Sequence, residues 1–183
     1  MQFQKSLLTA TLLAAASLTA VSANAVGTAT GNFDVTIKID STCIVSAVGA
    51  AQNINFGTVA AGDADDATSA TDVTVACSKN APYIINLTPS NNDGAGAGVM
   101  ARLGSGSDTV PYQLRKETGA AGAIWGNGGN VVNGDMTPGN SLQGVGTGIG
   151  NVIPHTIFAT VTTTATDVQP GDYKDIVAIE VIY

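Results

Sequence analysis

Charge is scarce in this sequence, and positive charge is scarcest. Only 11% of the 183 residues are charged, seven Lys and Arg stand against fourteen Asp and Glu, and the formal charge is −7. A chain so poor in cations has no electrostatic footprint for nucleic acid, and binding to anionic lipid is disfavoured on the same grounds. Helical periodicity is almost missing, and no stretch approaches the roughly 20 apolar residues of a membrane helix. The groupings that carry catalysis are missing too. There is one histidine, His155, and no Gly-x-Ser-x-Gly, His-Glu-x-x-His or Cys-x-x-Cys. No enzyme and no cofactor are expected, and abundant Gly, Ala, Thr and Val suits an all-β surface protein.

The N-terminus has the layout of a secretory signal. Lys5 supplies a positive start, Leu7 to Val21 form an apolar stretch, and Ala23-Asn24-Ala25 is a small-x-small cleavage site. Residues 1–25 are therefore expected to be removed, leaving a chain from Val26 that is one unit more negative and soluble after export. Export also sets the chemistry of the two cysteines. Cys43 and Cys77 both lie in the exported part, and an even number in an oxidising compartment reads as one disulfide. Closing a loop of about 35 residues is worth roughly 4 kcal/mol in the chain-entropy model.

The remainder reads as short strands separated by turns. Phe33 to Asp40 alternates apolar and polar without an error, and Thr42 to Val48 continues extended through Cys43. Ile54 and Phe56 suggest a short strand before Gly57. Thr71–Cys77, Pro82–Leu87, Val110–Arg115, Ile124-Trp125, Ile153–Val161 and Tyr173–Tyr183 supply the rest. Residues 90–108 read as a Gly, Asn and Ser loop, and 126–150 as a hairpin with a surface excursion. Seven or more such strands argue for an immunoglobulin-like β-sandwich.

Two ends of the chain bear on function. The stretch Phe33, Val35, Ile37, Ile39 opposes a polar face, Asp34, Thr36, Lys38, Asp40, so one side is to be buried and the other left in water. Its plainer reading is the first strand of the domain's own sheet. At the other end, Val177, Ile179, Val181 and Tyr183 share a face, and little charge blunts the edge of that strand. Either the sandwich is complete and ends in a buried strand, or it is one strand short and open to a strand from elsewhere.

Other candidates are weaker. Gly94-Ala95-Gly96-Ala97-Gly98 lacks the Lys-Ser/Thr and helix of a phosphate loop and reads as a flexible turn. Asp63, Asp65 and Asp66 could gather calcium, but the turn Gly and the closing Glu are missing, which favours a solvated loop. Trp125 beside Gly126 could stack on a sugar, although a core position fits it better. His155 reads as a surface or core residue rather than a base.

Val110-Pro111-Tyr112-Gln113-Leu114-Arg115, followed by Ile124-Trp125-Gly126, resembles the spore coat U-type domain. The ending Gln169-Pro170-Gly171-Asp172-Tyr173-Lys174-Asp175-Ile176-Val177 completes the resemblance, with Gly-Asp-Tyr-Lys-Asp its most specific piece. This domain is shared by the major subunits of archaic (Csu-type) chaperone–usher pili. The resemblance implies an all-β, incomplete immunoglobulin-like sandwich lacking its last strand. A periplasmic chaperone first fills the groove, and at the outer-membrane usher the N-terminal segment of the next identical or related subunit replaces it. Residues 26–41 would then be the donor segment, with Phe33, Val35, Ile37 and Ile39 as donor side chains, and 42–183 the pilin domain. The groove edge would be Val177, Ile179, Val181 and Tyr183. The resemblance further implies a fimbrial subunit at the cell surface, serving adhesion and biofilm formation. The alternative is a self-complete secreted β-sandwich that binds glycan or calcium, or lies in an outer coat. A single domain carrying a donor candidate suits a shaft subunit better than a tip adhesin.

Overall fold

The computed structural model describes residues 27–46, 52–63, 66–91 and 93–183. The expected signal peptide, Val48 and Asp65 lie outside these. The chain divides into an N-terminal unit ending at Lys38 and a domain spanning Ile39–Tyr183.

Residues 27–42 carry no strand or helix, and their side chains are exposed. Among the described residues the domain has eleven strands: β1 (Cys43–Ser46), β2 (Ala67–Cys77), β3 (Pro82–Thr88), β4 (Ala97–Arg102), β5 (Thr109–Arg115), β6 (Asn130–Val132), β7 (Asp135–Thr137), β8 (Leu142–Val145), β9 (Ile153–Val161), β10 (Tyr173–Lys174) and β11 (Ala178–Ile182). Six form one sheet in the order β1-β2-β9-β5-β4-β10, three form a second in the order β11-β3-β8, and β6 and β7 make a separate hairpin. All pairings are antiparallel. The fold is all-β.

The core lies between the two main sheets, where alternation puts Val73, Val75 and Cys77 of β2, Tyr83, Ile85 and Leu87 of β3, and Val110, Tyr112 and Leu114 of β5. Trp125 is fully buried and its indole Nε1 donates to the Ile85 carbonyl at 2.9 Å, so it is a core residue with no face to offer a sugar. Cys43 and Cys77 stand directly opposite one another in β1 and β2 and form the expected disulfide.

Four expectations need correction. The loop read at 90–108 contains β4, whose Ala97-Gly98-Val99-Met100-Ala101-Arg102 carries little β-branched signal. Gly98 has a tertiary reason: its register partner is Tyr112, and a Cβ there would lie 2.0 Å from Tyr112 Cζ. The aromatic ring supplies the packing that the glycine gives up. The final strand read at Tyr173–Tyr183 is two strands, since β10 joins the six-stranded sheet through β4 and β11 joins the other through β3. Alternation cannot register a crossing between sheets. Ile54 and Phe56 pack against the core but belong to no strand, because among the described residues no strand pairs with their backbone. The short strand read at Ile124-Trp125 is a single bridge between Ile124 and Arg115.

The excursion at 126–150 does contain a hairpin, β6–β7, turned by Asn133 and Gly134 with φ of 54° and 88°. Two residues at positive φ make the tight turn that matches strand twist. It also supplies β8, an edge strand on β3.

Candidate functional site

Beside β11 the sandwich is open. A groove of about 590 Å³ enters the core between the sheets. Its floor comes from both: Val73, Tyr112, Leu114, Ile157 and Ala159 from the large sheet, Leu87 and Ile179 from the small one. One rim is β11 together with the crossing Asp175–Val177, and residues 52–56 also line it. Among the described residues β11 pairs with β3 alone, so the other side of its backbone carries no ladder. Leu103, Ile176 and Val177 stand at the groove with large exposed side chains, Ile176 at 69%. An apolar cleft beside an unpaired strand edge offers main-chain hydrogen bonds and side-chain pockets at once, the two elements of strand addition.

The crossing that shapes this rim is pinned by Asp175. Its carboxylate accepts from the Tyr112 hydroxyl at 2.7 Å, from the Ile176 backbone N–H at 2.8 Å, and from the Ser90 hydroxyl. Burial alone pushes the carboxyl upward, but these bonds to Ser90, Tyr112 and Ile176 outweigh it and hold its pKa below the ordinary carboxylate value. Tyr112 is shifted well upward, first by burial and then by its bond to Asp175 and that negative charge. The stretch before the crossing is tied down as well. Leu103 N–H donates to the Asp172 carbonyl at 2.7 Å, Arg102 Nη2 to the Pro170 carbonyl at 3.0 Å, and the Tyr173 hydroxyl to the Gln169 carbonyl at 2.6 Å. The Gly-Asp-Tyr-Lys-Asp motif is thus the hinge between sheets.

A second tyrosine lies away from the groove. Tyr83 is fully buried over Gly144, its register partner, where a Cβ would lie 2.3 Å from Cζ. Its hydroxyl is 2.8 Å from His155 Nε2, with the rings edge-on at 5.8 Å. Burial lowers the His155 pKa and raises that of Tyr83. His155 is therefore a half-buried structural partner.

Of the expected groove-edge residues, Val177 and Ile179 do line the groove. Val181 packs against the core, and Tyr183 follows β11 with its side chain half exposed. Phe33, Val35, Ile37 and Ile39 are 81–87% exposed, an unusual state for four large apolar side chains spaced by two. Sequence reasoning missed Tyr112 and Asp175 as groove residues, although both lie in the motifs that carried the resemblance. Among the described residues no three His, Cys, Asp or Glu come together as a metal site, and Asp63 and Asp66 form no such group.

Fold and groove define an open β-sandwich in which one edge of β11, bordering the core, carries no ladder among the described residues. The chain belongs to the Spore Coat Protein U domain family, whose model matches residues 29–180. Among solved structures it is similar to a chain of the CsuC–CsuE chaperone–tip adhesion subunit pre-assembly complex from archaic chaperone–usher Csu pili of Acinetobacter baumannii. There the identity is 18%, the TM-score 0.45, and the match covers 79% of this chain and 40% of that one. It is also similar to a chain from a chaperone–tip adhesin complex of CFA/I fimbriae biogenesis, at 12% identity and TM-score 0.38, covering 70% of this chain and 38% of that one. The chain thus spans less than half the length of either. No curated protein matches it.

Proposed function

We propose that this chain is a structural subunit of a surface pilus assembled by the chaperone–usher pathway, polymerising when Phe33–Ile39 of one copy enters the groove of the next. The observation that carries the reading is a complementary pair within one sequence: a fully exposed alternating apolar segment, and an open apolar groove beside the unpaired edge of β11. Seven extended residues span about 23 Å, roughly the depth of a sandwich. Burying four large apolar side chains is worth on the order of 6–12 kcal/mol before ordering costs. The incoming backbone would pair with β11, and Ile54 and Phe56 stand ready on another wall of the groove. Such a head-to-tail contact does not close on itself and generates a filament.

In this reading the chain is exported with its signal peptide removed, is held in the periplasm by a chaperone occupying the groove, and is passed to the outer-membrane usher. Its role is structural, in a shaft that supports adhesion and biofilm formation, and no catalytic step is assigned to it. Deleting residues 26–40 from the mature chain tests this. The truncated subunit should remain bound to its chaperone and form no fibres by electron microscopy, while fibres of normal length would overturn the reading.

A further inference from the structure

Residues 126–141 lie across the outer face of β3, opposite the core. Gly129 is so close to that face that a Cβ would come within 2.3 Å of Ile84 Cγ2 and 2.7 Å of Asn86 Oδ1. Asn127 Nδ2 donates to Thr88 Oγ1 at 3.0 Å, further along the same face. Between them sits Asn86, only 3% exposed, with its amide fully used. Nδ2 donates to the Gly129 carbonyl and to Glu180 Oε2, each at 3.0 Å, while Oδ1 accepts from Gly129 N–H at 3.2 Å and from the Ser141 hydroxyl. Two donors and two acceptors are all that this side chain offers.

Glu180 is the significant partner, because it lies on β11 in register with Asn86. β11 is held weakly elsewhere. It has a ladder on one side only, and Ile179 on its inner face borders the open groove. We propose that the 126–141 excursion is a third layer that clamps the groove-edge strand from outside, with Asn86 and Glu180 as positioning residues that keep β11 in register while the groove is unfilled. The inference rests on the strand-capture reading and deepens it. Strand capture needs an edge whose hydrogen-bonding groups are already aligned, because a one-residue slip turns every side chain to the wrong face. A clamp on the outer face supplies this alignment without occupying the groove.

The test uses the full mature chain with Glu180→Ala and Glu180→Gln, since an exposed side chain can be changed with little risk to folding. Amide hydrogen exchange is read over Ala178–Ile182 and, as control, over β9, together with the rate of fibre growth. Glu180→Ala should speed exchange in β11 by about tenfold, the worth of one charge-assisted hydrogen bond. β9 should stay within about twofold of the parent, with correspondingly slower fibre growth. Glu180→Gln, which still offers Asn86 an oxygen, should restore both. Equal β11 exchange in all three chains, a rise shared by β9, or no rescue by Gln would overturn the clamp. If even the parent chain forms no fibres, the strand-capture reading falls, while the exchange pattern still decides whether the clamp exists.

Discussion

Tyr112 and Tyr83 are built alike and placed differently. Each lies over a glycine on the neighbouring strand, Gly98 and Gly144 respectively, and each spends its hydroxyl on a titratable partner. Tyr83 does so in a sealed part of the core and Tyr112 on the floor of the open groove. The partner follows the setting. In the closed region the partner is an imidazole, and burial lowers the His155 pKa, which favours its neutral form. At the groove the backbone must cross from one sheet to the other, and the carboxylate of Asp175 gathers a backbone N–H and two hydroxyls to hold that crossing. The same local device thus finishes a core in one place and shapes an opening in the other.

The sharpest way to break this comparison is to give each glycine a Cβ. Gly144→Ala should cost roughly 3 kcal/mol in urea unfolding, near the top of the overpacking range, because Tyr83 has nowhere to go. Gly98→Ala should cost about 1–2 kcal/mol, because Tyr112 can yield toward the groove. Equal costs would erase the distinction between sealed and open settings. A smaller effect comes from the hydroxyls. Tyr83→Phe strands a half-buried ring nitrogen and should cost about 1–2 kcal/mol, whereas Tyr112→Phe leaves Asp175 two other donors and should cost about 1 kcal/mol or less.

The smallest effects separate the two partners by pH. His155 has its folded pKa below 6.5, so its contribution is intact above that value and is lost as pH falls from 6.5 toward the folded pKa. Asp175 is also lowered in the fold, so its contribution is present above pH 3.8 and is lost only as pH falls below it. Unfolding midpoints measured from pH 8 to 3 should show a loss in the upper window that His155→Gln removes. In the lower window, Asp175→Asn should flatten the loss. A single transition insensitive to both substitutions would show that neither partner titrates as its environment dictates.

Much of the architecture was legible in residue pattern. Alternation located the Thr71–Cys77 part of β2, short runs between turn residues located β5 and β9, the cysteine pair matched a cross-strand disulfide, and the motif residues led to the family. β4 was illegible because its signal is written in Tyr112 rather than in its own small residues. The role of Asn86 was equally hidden. A lone polar residue inside an apolar strand reads as an irregularity until Gly129, Ser141 and Glu180, far apart in sequence, are brought around it.

Periodicity, turn residues and cysteine count are local quantities, so the sequence by itself determined that the chain is all-β and which side of most strands is apolar. It also set Phe33, Val35, Ile37 and Ile39 two residues apart, the spacing that puts side chains on one face wherever such a segment is held extended. Whether an apolar face is covered depends on partners that chain order does not reveal. Only the tertiary structure decided that the last stretch divides between two sheets at Asp175, that a groove lies beside β11, and that the Gly-rich excursion reaches Asn86 of β3, which in turn bonds Glu180 of β11. The physical reason is the same in each case. A strand's own residues set which way its side chains point, while its hydrogen-bonding edges and its buried volume belong to whatever packs beside it.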